Sequence, residues 1–282
     1  MTSKNWTAAG GIGGVTTTTG ASYPSLNDIF GSNVNGVENF GVLGDSTDQG
    51  NHDANPAPGV GWGDADCAEG WVARGFNAAG VSFVRAAVSG SAATPEVLYP
   101  SVIRLQKMKY VSRAVHGMGH NMRGLSWDGA AGTGFRETLR NWILKYRAAM
   151  WGGDGKVVGS SLFPSATGTF TTLQGQTVNA SVLDPNSSTY KYRQYLLAGN
   201  FNHALGDPDM ALDTYAWIYL DGAANGADMT GVTAEGGAWP PHANWVANGA
   251  FGSTLEGGHP QGLYHASCGA RHAAAMPAIK AM

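Results

Sequence analysis

Phe40-Gly41-Val42-Leu43-Gly44-Asp45-Ser46 decides how this chain is read. The apolar run Phe40 to Leu43 has the make-up of a short strand covered on both faces. Gly44-Asp45-Ser46 then stops it with residues that favour a tight turn. The same alternation recurs outward from there. Ala68 to Ala79 reads as a helix, Val81 to Val88 as a strand ending at Ser89-Gly90, and residues 96–108 as a helix with a first turn or kink at Pro100. Lys109 to His116 is the next strand, ending at Gly117-Met118-Gly119. Over 133–150, Phe135, Leu139, Trp142, Ile143, Tyr146 and Met150 share one helical face, while Arg136, Arg140, Lys145 and Arg147 fall elsewhere. Lys156 to Phe163 reads as a strand stopped by Pro164, 187–204 as a helix, Tyr215 to Leu220 as an aromatic-rich strand, and 262–280 as an Ala-rich closing helix. Five strands alternating with helices predict an α/β fold, a three-layer α/β/α sandwich around a mostly parallel sheet.

A chain of 282 residues with 43% hydrophobic residues has the length and apolar content for one large domain and is no disordered segment. Its formal net charge of −3 comes from interspersed signs, without the basic stripe of a nucleic-acid binder. No apolar run is long enough to span a bilayer. Residues 1–36 stand apart: Gly10, Gly11, Gly13, Gly14 and Thr16 to Thr19 make a low-complexity lead, read as a linker or surface wrap before a domain at 37–282. Only 13% charged residues and 42 Gly lean towards a loop-rich protein working outside the cytosol, at a cell or virion surface, although no signal-peptide h-region is visible. Cys67 and Cys268 are either one long-range disulfide or two small buried hydrophobes. Nothing has the spacing of a metal site, and the chemistry below calls for no cofactor.

In open α/β sheets the working residues sit just beyond the carboxyl ends of the strands. Those ends deliver Gly44-Asp45-Ser46, Ser89-Gly90-Ser91 and Gly119-His120-Asn121, and Glu256-Gly257-Gly258-His259-Pro260 lies near the C-terminus. A serine hydroxyl is a weak nucleophile until a base takes its proton, which His259 can do as neutral imidazole. Glu256 can hold that imidazole in one tautomer, with an Asp from 207–228 as its rival. The Ser46 and Gly90 backbone N–H groups and the Asn121 amide are candidate donors to an oxyanion.

Four blocks in this order resemble the SGNH (GDSL-like) hydrolase superfamily. The resemblance covers about residues 37 to 282. It implies a flavodoxin-like sheet and a serine ester hydrolase acting through an acyl-enzyme, with no cofactor. Ser46 would be the nucleophile, His259 the base, and Gly90 and Asn121 part of the oxyanion hole. Glu256 departs from the family's usual Asp, Met122 follows the third-block Asn where Asp is frequent, and Thr47 replaces an apolar residue. The implied substrate is a small ester or an acylated glycan, with short acyl or O-acetyl groups favoured.

Each residue also has a plainer reading. Ser46 and Asn121 can cap helices, Gly90 can be a turn glycine, and Asp45 can tie its own loop through backbone bonds. Asp45, His120 and Trp127 are weaker candidates for lining the pocket, and Trp127, Trp239 and Trp245 either stack on a sugar or anchor loops. His242, His265 and His272 rival His259, the last two read as surface or core-edge groups. The competing class is a non-catalytic glycan-binding or structural module of a phage-tail or cell-surface protein.

Overall fold

The computed structural model describes residues 39–50, 70–168, 172, 174–224, 238–240, 258–260 and 262–282; the lead at 1–36 and Cys67 lie outside them. In chain order the elements are β1 (Asn39–Leu43), α1 (Ser46–Gln49), α2 (Gly70–Ala78), β2 (Ser82–Arg85), α3 (Ala93–Leu98), α4 (Val102–Met108), β3 (Arg113–His116), α5 (Phe135–Ala149), β4 (Lys156–Ser160), β5 (Ala166–Gly168), β6 (Gln176–Val178), α6 (Ala180–Leu183), α7 (Ser188–Ala198), β7 (Met210–Leu212), α8 (Thr214–Ala224) and α9 (Gly262–Ala281). Five strands form one sheet in the order β2-β1-β3-β4-β7, every neighbouring pair parallel. β5 and β6 form a separate antiparallel pair.

The period-two alternation of each strand divides its side chains between two cores. Phe40, Val42, Val115, Val158 and Leu212 face one side, against Trp71, Val72 and Phe76 of α2, Ile218 of α8 and Tyr264, Cys268, Met276 and Ile279 of α9. Leu43, Val84, Ala114 and Val157 face the other, against Met108 of α4, Phe135, Leu139, Trp142, Ile143 and Tyr146 of α5, and Tyr192 and Leu196 of α7. The expected three layers are therefore present, with the apolar stripe of α5 buried as its spacing required. The connections on either side of β1 leave its carboxyl end beside that of β3, where a crevice opens in this strand order.

Two expectations are corrected. Tyr215 to Leu220 is not a strand: it lies in α8, and the fifth strand is the three-residue β7 just before it. Asp213 decides the difference. Its Oδ1 accepts from the Ala216 N–H at 3.3 Å as a helix cap, and the Thr214 hydroxyl donates to the Ser161 carbonyl at 2.6 Å, fixing the helix start on the end of β4. The second correction concerns His265 and His272, which are wholly buried rather than at the core edge. α9 crosses α2 so closely that a Cβ on Gly75 would lie 2.1 Å from His272 Nδ1. The His272 ring fills that space against Phe76 and Trp71, centroids 4.8 and 5.6 Å away. His265 Nδ1 accepts from the Trp71 N–H at 3.1 Å.

His272 Nδ1 lies 3.1 Å from the Val72 carbonyl and so carries the proton, while buried Nε2 has no hydrogen-bond partner among the described residues. Burial lowers its pKa from the ordinary 6.5 to about 4, against a weak upward pull from the Val72 bond. Between those two values the unfolded chain binds the proton and the folded chain does not. The contribution to stability is therefore complete above pH 6.5 and lost as pH falls towards 4. Gln in place of His272 keeps a donor for Val72 and does not titrate. The loss of unfolding free energy between pH 7 and pH 4.5 is expected to be smaller in His272→Gln by about 2 kcal/mol, read from urea unfolding at both values. An unchanged difference would show that His272 does not titrate on unfolding.

Candidate active site

β1 delivers Gly44-Asp45-Ser46 to the carboxyl edge of the sheet, where Ser46 opens α1. Asp45 caps that helix: its Oδ1 accepts from the Thr47 N–H at 3.1 Å and the Thr47 hydroxyl at 3.0 Å. Asp48 completes a capping box by accepting from the Asp45 N–H at 3.3 Å. Both carboxylates also reach outward. Asp45 Oδ2 accepts from the His120 N–H at 3.2 Å, Asp48 Oδ2 from the Gly117 N–H at 2.9 Å, and Asp48 Oδ1 from Trp71 Nε1 at 3.2 Å. The serine turn is thereby fastened to the loop after β3 and to α2. Burial raises the Asp48 pKa well above the usual carboxylate range, the Asp45 charge adds to that, and the three N–H bonds oppose it. Asp45 is raised by burial too, against its bonds to Thr47 and the charge of His259.

Ser46 Oγ lies 2.6 Å from His259 Nε2, although 213 residues separate them in sequence. Ser46 is only 5% exposed, and His259 belongs to the short turn at 258–260 that leads towards α9. Glu256, His242 and Trp245 lie outside the described residues. Of the rival acids, Asp207, Asp209 and Asp213 are paired with Arg140, Arg147 and Arg193 respectively.

The second and third blocks meet the serine turn through hydrogen bonds. The Val88 N–H donates to the Gly44 carbonyl at 3.2 Å, and Asn121 Nδ2 donates to the Ser91 carbonyl at 2.8 Å. Gly90, between them, is exposed with φ +74°, and a Cβ there would have nothing within 4 Å among the described residues. Asn121 sits on a single 3₁₀ turn, His120–Met122, with its side chain near solvent. A primary amide carries two N–H donors, so the bond to Ser91 fixes the plane of Asn121 and leaves a second donor.

His120 stacks on Phe163, centroids 5.9 Å apart, with Nδ1 2.7 Å from an Arg123 guanidinium nitrogen. Burial holds its pKa well below the ordinary value, and the charges of Arg123 and His259 push the same way. Its imidazole is therefore neutral and can accept from Arg123. Arg123, which also donates to the Phe163 carbonyl at 3.1 Å, has its own pKa lowered by burial to about 10, with Asp45 pulling upward. Trp127 stacks on Phe135 at 5.9 Å beneath the Arg136 guanidinium, and Trp239 is wholly buried between Phe163 and Tyr264. Both are loop anchors. Sequence reasoning missed Asp48 and Arg123. The spacing of Asp45 and Asp48 carries the signal of a capping box, whereas nothing local marks Arg123.

No family profile matches the sequence, and no curated protein matches it. Among solved structures, the chain is similar to a "putative arylesterase" from Agrobacterium tumefaciens, at 13% identity and a TM-score of 0.45, over 86% of this chain and 100% of that one. It is also similar to a "putative GDSL-like lipase" from Parabacteroides merdae, at 14% identity and a TM-score of 0.47, over 84% of this chain and 95% of that one.

Proposed function

We propose that this chain is a serine-dependent carboxylic ester hydrolase of the SGNH type. The observation that carries the reading is the 2.6 Å contact between Ser46 Oγ and His259 Nε2 at the carboxyl edge of the sheet. A hydroxyl in this contact can pass its proton to the imidazole as Oγ attacks an ester carbonyl. The carbonyl oxygen gains the negative charge, which the Ser46 and Gly90 N–H groups and the second Asn121 donor stabilise. Collapse of this adduct breaks the bond to the alcohol, which leaves with the proton held by His259. Water then attacks the acyl-enzyme by the same route and releases the acid. Glu256 is the proposed partner of the His259 Nδ1–H, and short acyl groups, including O-acetyl groups on carbohydrates, the proposed substrates. Trp127 and Trp239 add no support for the carbohydrate, since both are used as anchors.

A serine-reactive fluorophosphonate tests the reading, followed by peptide mapping, beside turnover of p-nitrophenyl acetate. Labelling at Ser46 with ester turnover supports it. A folded protein inert to both reagents would retire it in favour of a binding module. Among variants, Asn121→Ala is expected to lower kcat about 100- to 1,000-fold with KM little changed, the usual effect of losing one oxyanion donor. An undiminished kcat would remove Asn121 from the site.

A further inference from the structure

Beneath the site lies a buried ion pair that the chemistry above does not use. Glu96 of α3 and Arg104 of α4 are bonded to each other, with side chains only 10% and 5% exposed. Glu96 Oε2 is anchored by α5, accepting from Trp142 Nε1 and the Tyr146 hydroxyl at 2.8 Å each. The Arg104 guanidinium donates to the Gly44 carbonyl at 2.9 Å and to the Ser91 hydroxyl at 2.8 Å. Gly44 is two residues before Ser46, and Ser91 follows Gly90 and carries the carbonyl that orients Asn121. One side chain thus ties together the loops that hold the Ser46 and Gly90 donors, and it reaches Asn121 only through Ser91.

Stability is a poor account of this pair, because an apolar replacement of a buried ion pair is often neutral or stabilising. An apolar pair of the same volume has no donors for the Gly44 carbonyl and the Ser91 hydroxyl. We propose that Glu96 and Arg104 are positioning residues that set the loop after β1 against the loop after β2, holding the oxyanion donors in register. This inference rests on the ester-hydrolase reading. Misplacing a donor by about an ångström is enough to lower a rate on the order of 100-fold.

Arg104→Met alone strands the Glu96 carboxylate in the core and is prone to unfold, so the decisive variant is Glu96→Gln with Arg104→Met. Its kcat and KM for p-nitrophenyl acetate, its fluorophosphonate labelling rate and its melting temperature are compared with those of the native chain. The expected result is a kcat about 10- to 100-fold lower and slower labelling, with KM within about twofold and the pH midpoint of kcat unchanged. Arg104→Lys, which keeps the charge without the fork, should fall short of native kcat as well. A folded double variant with native kcat and labelling overturns the positioning role alone. A native chain inert to both reagents overturns the hydrolase reading and the positioning role with it.

Discussion

Ser46→Ala is expected to lower kcat for p-nitrophenyl acetate by about four to six orders of magnitude, with an unchanged circular dichroism spectrum. The size follows from the unit the residue belongs to. On the proposed mechanism, without Oγ no acyl-enzyme forms, His259 has no proton to take, and only the oxyanion donors and binding remain. The fold should survive because the serine turn is held by the Asp45 and Asp48 carboxylates, not by the hydroxyl. Alanine is also a good helix former at the first position of α1. Steady-state kinetics on protein freshly purified away from host esterases is the required check. Activity retained above one part in a hundred would mean that another group attacks the ester.

Gly44→Ala should produce the largest loss of stability among single changes near the site, about 3–5 kcal/mol by urea unfolding. Two penalties add. The backbone at Gly44 has φ +126°, which L-residues rarely adopt, and the new methyl would lie 1.8 Å from Asp48 Oδ2. Asp48 cannot withdraw easily, since Gly117, Asp45 and Trp71 all donate to it. Gly80→Ala separates the two penalties. Gly80 has φ +64° and, among the described residues, nothing within 4 Å of the added Cβ, so the conformational cost of about 1–2 kcal/mol remains. Equal losses in the two variants would show that the turn yields around Asp48.

The sequence was most legible where a local pattern matched a physical need. The run Phe40 to Leu43 and its arrest at Gly44 gave the first strand and its working end, and the stripe from Phe135 to Tyr146 gave the longest helix of the α4–α5–α7 face. Pro100 falls in the break between α3 and α4, with Ser101 capping the second of them. Tyr215 to Tyr219 misled because aromatics at alternate positions imitate a strand, while the cap at Asp213 that makes them helical is a single residue. Of the proposed triad, Ser46 was legible from a motif at a strand end and His259 from the Gly-Gly-His-Pro block near the C-terminus. The Glu96–Arg104 pair was not, since what gives it meaning is a carbonyl 60 residues away from Arg104. Histidines in an Ala-rich helix look like surface groups until the glycine opposite, Gly75, shows that one of them fills a neighbour's missing side chain.

The 213-residue separation of Ser46 from His259 also bears on how the protein matures. Sheet formation and collapse of the core on the α4–α5–α7 face can precede the arrival of the C-terminal segment, but if Ser46 needs His259 as its base, no such species can hydrolyse an ester. In refolding, recovery of activity would then report the docking of α9 on α2, a later event than the return of secondary structure. The chain would carry its own clock for the last step of its assembly.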